Sequence, residues 1–392
     1  MRIVVTGGGS GGHITPILAV AHEIKQARPD AEICYIGQKG DALSDIPAAH
    51  DAIDKVYTVR AGKLRRYHGE GLRQLLDIPT LLKNLRDMVW TIIGIGQSIR
   101  LLRRLHPDVV FIKGGFVGVP VGLAAALWRI PYVTHDSDAL PGLANRLVAP
   151  WARLHTVALP AEVYAAFYPS KKTKTVGVPI SHHFELVTPK EMTAARKRLD
   201  LDKYQQVLCM TGGGNGAQSL NEALIACAPG LLGRYPDLAI VHIAGRSLEA
   251  AVRKRYKAEL TPEQFARVQV TGFVTNLHDY SAASDVILTR AGGSSMAEFA
   301  VQGKACIVAP NPVLAGGHQL KNARVLADRK AIRLVDDTAL RHDTQALMAP
   351  CTELLDNPEK ARALGQKLNT LATPDAAERL AVVLLDIATA KK

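Results

Sequence analysis

The amino-acid sequence predicts an α/β protein built from two doubly wound domains, each a parallel sheet with helices on both faces. Two glycine-rich turns, at residues 7–12 and 212–216, each come directly after a short apolar run that is typical of a buried strand. Short apolar runs and longer helix-compatible stretches alternate along the chain. The 392 residues, 47% of them hydrophobic, are enough for two domains with separate cores.

The predicted elements follow in order along the chain. In the first domain, strand-like runs fall at residues 3–5, 31–36, 109–112, 132–135 and 173–178. The alternation restarts with runs at residues 207–210, 239–243, 268–272, 286–289, 305–309 and 331–335. The restart after Pro179 divides the chain into an N-terminal domain, residues 1–179, and a C-terminal domain, residues 180–373. Residues 374–392 have the apolar spacing of an amphipathic helix, which we expect to pack back on the first domain.

Composition narrows the class of protein. The chain runs from Met1 straight into a strand pattern without a leader-like segment, so we expect a cytoplasmic protein. Its longest apolar neighbourhood, residues 88–96, is shorter than the roughly 20 residues that span a membrane. The five cysteines lack CxxC spacing and are expected to be reduced core residues. A formal charge of +12 favours an anionic partner, and composition alone leaves nucleic acid, anionic lipid and nucleotide-sugar open.

The glycine turns predict a phosphorylated ligand, because glycines let the backbone approach a phosphate and the following helix start attracts it. Gly7, Gly9 and Gly12 also satisfy the GxGxxG pattern of nicotinamide and flavin enzymes. In those enzymes an acidic residue at the end of the second strand binds the ribose, whereas here the strand ends near Gln38 and Asp41 comes late. Two such domains facing a cleft fit a nucleotide-sugar enzyme better, with donor on one lobe and acceptor on the other.

Five segments, in order, resemble the MurG-type glycosyltransferases, which add N-acetylglucosamine to lipid I. They are residues 5–16, 111–117, 135–145, 290–298 and 318–323. The resemblance covers both domains and implies two Rossmann-like domains in the B-type glycosyltransferase fold. It implies transfer of N-acetylglucosamine from UDP-GlcNAc to the C4 hydroxyl of MurNAc in lipid I, with inversion, giving lipid II for peptidoglycan synthesis.

The chemistry of such a transfer indicates candidate residues. The attacking hydroxyl must lose a proton, and His13, at a helix start that disfavours its protonated form, is the candidate catalytic base. The alternative is that His13 only orients the turn or the acceptor. Backbone N–H groups of Gly293, Ser294 and Ser295, with the charge of Arg290, would stabilise the leaving diphosphate. We therefore expect no metal and no cofactor.

The resemblance implies further roles. It implies that Glu298 accepts both ribose hydroxyls, that His318 and Gln319 read the sugar, and that Phe273 closes over the uracil. Ser10, Gly11, Gly12, Asp138 and Gly214 complete the predicted donor-binding set, and Gly115, Asp136 and Asn145 form the predicted acceptor side. A solvated helix glutamate and a buried core phenylalanine remain the alternatives for Glu298 and Phe273.

Three departures from the family pattern concern specificity. Residues 136–138 read Asp-Ser-Asp where the family usually has Glu-Gln-Asn, and a carboxylate at Asp138 would repel a diphosphate. The same three residues also spell the DxD of metal-dependent transferases, an alternative that we leave open. Gly214 replaces the usual serine, and Ser181 replaces the usual arginine beside two histidines. One phosphate-facing cation is therefore expected to be lost or substituted.

A basic and apolar segment near residues 63–93 predicts contact with an anionic membrane at its cytoplasmic face. The residues predicted to make it are Arg65, Arg66, Leu75, Leu76, Leu82, Lys83 and Arg86. The protein would then be peripheral on the inner face of the cell membrane, where its lipid-linked acceptor lies. The alternative is an ordinary amphipathic helix packed on the sheet.

Two other function classes stay open on the sequence. One is a related two-lobed enzyme, either a glycolipid synthase with another acceptor or a UDP-GlcNAc 2-epimerase. The other is a non-catalytic nucleotide-sugar or nucleic-acid binding protein. An aromatic content of 5% gives few stacking residues for single strands, so we expect no nucleic-acid partner.

Overall fold

The computed structural model describes residues 1–63, 78–214, 216–312 and 317–390, with the side chains of residues 78 and 79 left out. The chain divides into two compact units. Unit 1 is chiefly Met1–His182 and Thr373–Lys392, and unit 2 is His183–Pro312 and Gln319–Ala372. The sequence-based boundary after Pro179 lies close to the change of unit between His182 and His183.

Unit 1 contains a parallel sheet of seven strands in the order β3-β2-β1-β4-β5-β6-β7. Its strands are β1 (Arg2–Thr6), β2 (Glu32–Gln38), β3 (Lys55–Val59), β4 (Val109–Ile112), β5 (Tyr132–Asp136), β6 (Leu154–Val157) and β7 (Thr173–Thr175). The strand order changes direction between β1 and β4, which pair directly through Ile3↔Val109 and Thr6↔Ile112. In doubly wound sheets ligands bind outside the carboxyl ends of the strands at this switch point.

Unit 2 repeats the arrangement with six parallel strands in the order β10-β9-β8-β11-β12-β13. They are β8 (Gln206–Thr211), β9 (Leu238–Ile243), β10 (Val268–Thr271), β11 (Val286–Thr289), β12 (Ala305–Val308) and β13 (Arg333–Leu334). Here the switch point lies between β8 and β11, whose register runs from Leu208↔Val286 to Thr211↔Thr289. The prediction of two doubly wound α/β sheets is confirmed.

Helices connect the strands and cover the sheets. In chain order they are α1 (Gly11–Ala27), α2 (Asp45–Ala48), α3 (Ile78–Leu105), α4 (Gly118–Leu127), α5 (Leu143–Val148), α6 (Pro189–Arg198), α7 (Gln218–Arg234), α8 (Glu249–Glu259), α9 (Pro262–Phe265), α10 (Leu277–Ala283), α11 (Gly293–Val301), α12 (His318–Asp328), α13 (Gln345–Leu355), α14 (Pro358–Asn369) and α15 (Ala376–Thr389). Among the described residues, no helix is long and apolar enough to cross a membrane.

The cores follow from the apolar spacing of these elements. In α1, Ile17, Val20 and Ile24 recur at helical spacing and pack into one core cluster with β1. Leu380 and Leu384 of α15 belong to the same cluster, so the last helix packs against α1 in unit 1. The five cysteines are buried and unpaired, as the scattered spacing predicted.

Candidate active site

Two glycine-rich loops meet at the switch point of unit 1. Loop 1 (residues 7–12) follows β1, and loop 2 (residues 113–117) follows β4. Gly114 and Gly115 have φ angles of 121° and 79°, which side-chain-bearing residues rarely adopt. A Cβ on Gly115 would lie 2.5 Å from the carbonyl oxygen of Gly8. The two loops therefore touch through their backbones, and glycine is required at this contact.

His13 projects from the start of α1 toward this contact. Its Nδ1 lies 3.1 Å from the Gly8 carbonyl oxygen and 3.0 Å from Ser10 Oγ. A carbonyl only accepts hydrogen bonds, so Nδ1 carries the proton and Nε2 keeps its lone pair. Burial, with a smaller effect of the Lys113 charge, lowers the pKa of His13 to about 4. The imidazole is thus neutral at neutral pH, with Nε2 beside Gly114 and able to take a proton.

Asp41 holds loop 1 in place. One carboxylate oxygen accepts a 2.7 Å hydrogen bond from the Gly9 amide, and the other accepts from the Leu43 amide. The Tyr35 hydroxyl donates to the Gly7 carbonyl on the same loop. The Gly9 amide, which the sequence predicted to face a phosphate, thus donates to the Asp41 carboxylate instead. Sequence reasoning considered Asp41 only as a ribose ligand and missed this function.

The segment after β5 is built around a buried carboxylate. Asp136 accepts hydrogen bonds from the Gly142 amide, the Asn145 side-chain amide and the Tyr168 hydroxyl, at 2.9, 3.0 and 2.6 Å. Both of its oxygens are engaged, and burial raises its pKa. Asp136, predicted to lie on the acceptor side, thus uses its carboxylate to hold this segment together.

Asn145 turns its amide oxygen toward His13. Its Nδ2 donates to the His135 carbonyl and to Asp136, whereas the buried Oδ1 has no partner within the described ranges. A Cβ on Gly114 would lie 3.4 Å from His13 Nε2 and 3.7 Å from Asn145 Oδ1. His13 Nε2 and the unpaired oxygen of Asn145 therefore flank the same small space beside Gly114.

Asp138 is half-buried at the end of this segment. Its charge raises the pKa of His13 and of Lys113, which places its carboxylate near both side chains. Lys113, the first residue of loop 2, received no role in the sequence analysis, although a lysine directly before two glycines at the end of a buried strand was the available signal.

In unit 2, the second glycine turn and the start of α11 lie at the carboxyl ends of β8 and β11. A Cβ on Gly216 would lie 2.1 Å from the Ala244 carbonyl oxygen, so the turn packs too closely for a side chain there. Gly214, in the same turn, has no side chain, so it can offer a ligand only its backbone groups. The first turn of α11 contains the backbone amides of Gly293, Ser294 and Ser295, and no acidic residue lies in that turn. This helix start can therefore bind an anion.

Glu298, one turn into α11, is buried, with 7% of its surface exposed. Its carboxylate makes no hydrogen bond or ion pair with any described residue. Burial raises the pKa of Glu298 to about 8. A buried carboxylate without a partner is costly unless a ligand supplies donors, so this geometry disfavours the solvated-glutamate alternative.

Arg290 is paired internally. Its guanidinium donates to Asp337 Oδ1 at 2.6 Å, to the Ala309 carbonyl at 2.8 Å and to Ser219 Oγ at 2.6 Å. Arg290 and Asp337 are both buried. The sequence predicted that the charge of Arg290 helps to stabilise the leaving diphosphate. In the structure its hydrogen bonds join the loop before α11 to α7 and to the segment after β13.

The remaining predicted donor residues have mixed surroundings. Phe273 is half-buried, and the Arg246 guanidinium stacks 4.3 Å from the centre of its ring. Gln319 is buried, and its Oε1 accepts from the Asn311 amide at 2.9 Å. His318 is the first residue of α12. Arg246 was not identified from the sequence as a neighbour of Phe273, because no motif follows β9, the strand that precedes Arg246.

Four of the residues predicted to contact the membrane, Arg65, Arg66, Leu75 and Leu76, lie outside the residues that the structure describes. On α3, Leu82, Lys83 and Arg86 are all exposed. Apolar neighbours on the same helix are 39–61% exposed; they are Leu81, Leu85, Met88, Val89, Ile92 and Ile93. The Arg86 guanidinium lies 4.5 Å from the ring centre of Trp90. These side chains do not pack on the sheet as the alternative supposed.

Comparisons with known proteins agree with this description. Residues 3–156 match the glycosyltransferase family 28 N-terminal domain, and residues 207–380 match the glycosyltransferase family 28 C-terminal domain. A relative from Moorella thermoacetica, "UDP-N-acetylglucosamine--N-acetylmuramyl-(pentapeptide) pyrophosphoryl-undecaprenol N-acetylglucosamine transferase", is 32% identical over 98% of both chains.

Solved structures share the fold. The crystal structure of MurG from Acinetobacter baumannii has a TM-score of 0.67 at 23% identity, covering 98% of this chain and 99% of that one. A UDP-GlcNAc 2-epimerase from Neisseria meningitidis, bound to UDP-GlcNAc, has a TM-score of 0.64 at 15% identity, covering 98% and 100%. At these identities the likeness concerns the fold alone.

Two family 28 domains on one chain define the class of protein, a glycosyltransferase. Within that class, the chain belongs to the family of N-acetylglucosamine transferases that the Moorella relative represents.

Proposed function

We propose that this chain transfers N-acetylglucosamine from UDP-GlcNAc to the C4 hydroxyl of MurNAc in lipid I, in a single displacement that inverts the anomeric carbon. The observation that carries the proposal is His13, whose neutral imidazole presents a free Nε2 at the switch point of unit 1 in a chain related over its whole length to such transferases. The product would be lipid II, the disaccharide precursor of peptidoglycan.

The step needs one proton transfer and one leaving group. The acceptor hydroxyl oxygen forms a bond to the anomeric carbon while its proton passes to His13 Nε2, and the bond from that carbon to the UDP oxygen breaks. The acceptor carries a diphosphate, and its negative charge raises the pKa of His13 from about 4 toward neutrality. A base whose pKa approaches the working pH in the complex is the most effective.

Unit 2 is the proposed donor-binding domain. The first amides of α11 would hold the diphosphate of UDP, where negative charge grows as the sugar leaves. The unpaired carboxylate of Glu298 would accept the two ribose hydroxyls. Ser294 and Ser295 add hydroxyl donors at the same helix start, and Arg246 with Phe273 offers a stacking surface for the uracil.

The exposed face of α3 is the proposed membrane contact. Its apolar side chains recur every three or four residues, which places them on one side of the helix. A contiguous exposed apolar face bordered by Lys83 and Arg86 is typical of a surface that binds an anionic bilayer. Such a contact would bring the chain to its lipid-linked acceptor at the cytoplasmic face of the membrane.

The reaction is tested by UDP release from UDP-GlcNAc with and without a short-chain lipid I analogue, combined with mass spectrometry of the product. We expect release that depends on the acceptor, with a disaccharide product. Release without acceptor, accompanied by N-acetylmannosamine, would favour the epimerase alternative. No release at a UDP-GlcNAc concentration shown by calorimetry to saturate the protein would contradict the proposal.

A further inference from the structure

Lys113 is a buried lysine at the meeting point of the two loops in unit 1. Its backbone amide donates to the Thr6 carbonyl at 3.0 Å, which extends the β1–β4 ladder by one residue. A Cβ on Gly7 would lie 3.4 Å from the Cβ of Lys113, so the side chain begins against loop 1. Only 4% of the residue is exposed.

The ammonium of Lys113 forms no hydrogen bond and no ion pair with any described residue. Lys304 in unit 2 provides the contrast: it is equally buried, and its Nζ donates to the carbonyls of Ala282 and Ser284 at 2.8 and 2.9 Å. A structural buried lysine is satisfied in this way. Lys113 has three N–H donors and no acceptor for them.

The ammonium also reaches accessible space. Within the described ranges, the fully enclosed side-chain atoms without a partner are Ser98 Oγ, Asn145 Oδ1 and His155 Nε2, and Lys113 Nζ is not among them. Its stem is buried, and its charge lowers the pKa of His13, so its charged end lies near that side chain. The ammonium is therefore not fully enclosed by the described residues.

Two carboxylates act on the charge of Lys113. Burial lowers its pKa, and the carboxylates of Asp136 and Asp138 act against that effect. Neither carboxylate forms an ion pair with Lys113. The oxygens of Asp136 accept hydrogen bonds from three other donors. The two carboxylates thus favour the charged form from a distance, while the N–H donors of Lys113 stay available.

We propose that Lys113 binds an oxyanion of a diphosphate at loop 2. This cation also offsets the repulsion that Asp138 would exert on such a group. A lysine ammonium is a strong point-charge partner for phosphate, and the flanking glycine backbones leave room for one. The diphosphate belongs to the acceptor or to UDP. Assignment to the acceptor rests on the proposed function.

The test compares Lys113→Met, which keeps the length of the side chain and removes its charge, with Lys174→Met, which removes an exposed charge from β7 at the sheet edge. Calorimetry measures the Kd of UDP and of inorganic pyrophosphate, and steady-state kinetics measure KM for a short-chain lipid I analogue. Thermal unfolding checks the fold, and Lys113→Met is expected to unfold no earlier than the wild type because it removes an unsatisfied buried charge.

A 10- to 100-fold rise in KM for the acceptor, with the Kd of UDP unchanged, assigns Lys113 to the acceptor's diphosphate. A similar rise in the Kd of UDP assigns it to the donor. The proposal is overturned if the wild type, Lys113→Met and Lys174→Met all have the same Kd for UDP, the same Kd for pyrophosphate and the same KM for the acceptor.

Failure of the proposed function is distinguishable from failure of this inference. If the wild type shows no turnover with the lipid I analogue, the reaction assignment fails, and the binding of pyrophosphate and UDP still tests Lys113. Loss of that binding in Lys113→Met alone supports the site, whereas retention refutes it.

Discussion

The proposed role of His13 as a base depends on one neighbour and on burial. The Gly8 carbonyl fixes the proton on Nδ1, and burial keeps the ring neutral. Replacing His13 by Ala should lower kcat by about 10²- to 10⁴-fold, the usual contribution of a general base. The Kd of UDP, measured by calorimetry, should stay unchanged because the contacts proposed for UDP itself, the first amides of α11 and Glu298, lie in unit 2. A variant with near wild-type kcat would reduce His13 to an orienting residue.

The pH dependence of the reaction reports the same group. A base works only in its neutral form, and the pKa of His13 in the free protein is about 4. We therefore expect kcat/KM for the acceptor, measured at saturating UDP-GlcNAc, to stay level as pH falls from 7 and to decline only near pH 4. The acid limb of kcat should lie at higher pH, because bound acceptor raises the pKa. An acid limb of kcat/KM near 6.5 would indicate an exposed histidine instead.

Glu298 should couple UDP binding to proton release. In the free protein burial raises its pKa to about 8, and ribose hydroxyls donating to its carboxylate would lower that pKa again. UDP affinity should thus increase as pH rises from 6 to 8, and Glu298→Gln should remove this dependence. Calorimetry in two buffers of different ionisation enthalpy measures the released protons. Equal heats in both buffers at pH 7 would contradict the role.

At the scale of single elements, the Arg290–Asp337 pair joins three parts of unit 2. Both side chains are buried, and the guanidinium also holds Ser219 of α7. Removing one partner of a buried pair leaves an uncompensated charge, which costs about 3–5 kcal/mol. Asp337→Ala should therefore lower the thermal midpoint of unit 2 clearly. A midpoint equal to that of the wild type would show that the pair is dispensable.

The exposed face of α3 is testable separately from the core. Leu82→Ser and Leu85→Ser should leave the thermal midpoint unchanged, because both side chains are exposed. Sedimentation with anionic vesicles should nevertheless fall, and added salt should weaken the binding of the wild type further. Val383→Ser, on the buried face of α15, serves as the control that loses stability instead. Unchanged sedimentation of both α3 variants would exclude this face.

The sequence predicted the strands that are buried on both faces and missed two others. β1, β4, β8 and β11 read as short apolar runs because both of their faces are covered. β3 lies at the sheet edge with mostly exposed residues, and β6 contains the polar pair His155 and Thr156. Neither carries the apolar signal, so only the fold reveals them.

At the scale of the whole molecule, the switch points explain why the predicted site residues cluster at the ends of neighbouring strands. The glycine turns mark the carboxyl ends of adjacent strands, and parallel topology brings those ends together. Hydrogen bonds between residues far apart in the sequence could not be predicted. Arg290 and Asp337 are 47 residues apart, and the Gly9 amide and Asp41 are 32 residues apart. Lys113 could not be assigned from the sequence for another reason. Its proposed role depends on the absence of a hydrogen-bond partner for its ammonium among the described residues, and only the structure shows that absence.

The anomeric configuration of the product tests the central claim most directly. UDP-GlcNAc is an α-linked donor, so a single displacement with His13 as base gives a β linkage to MurNAc. Proton NMR of the disaccharide made from a short-chain lipid I analogue distinguishes the two by the coupling of the new anomeric proton. The account predicts the large coupling of a β linkage. The small coupling of an α linkage, or the absence of any disaccharide, would contradict it.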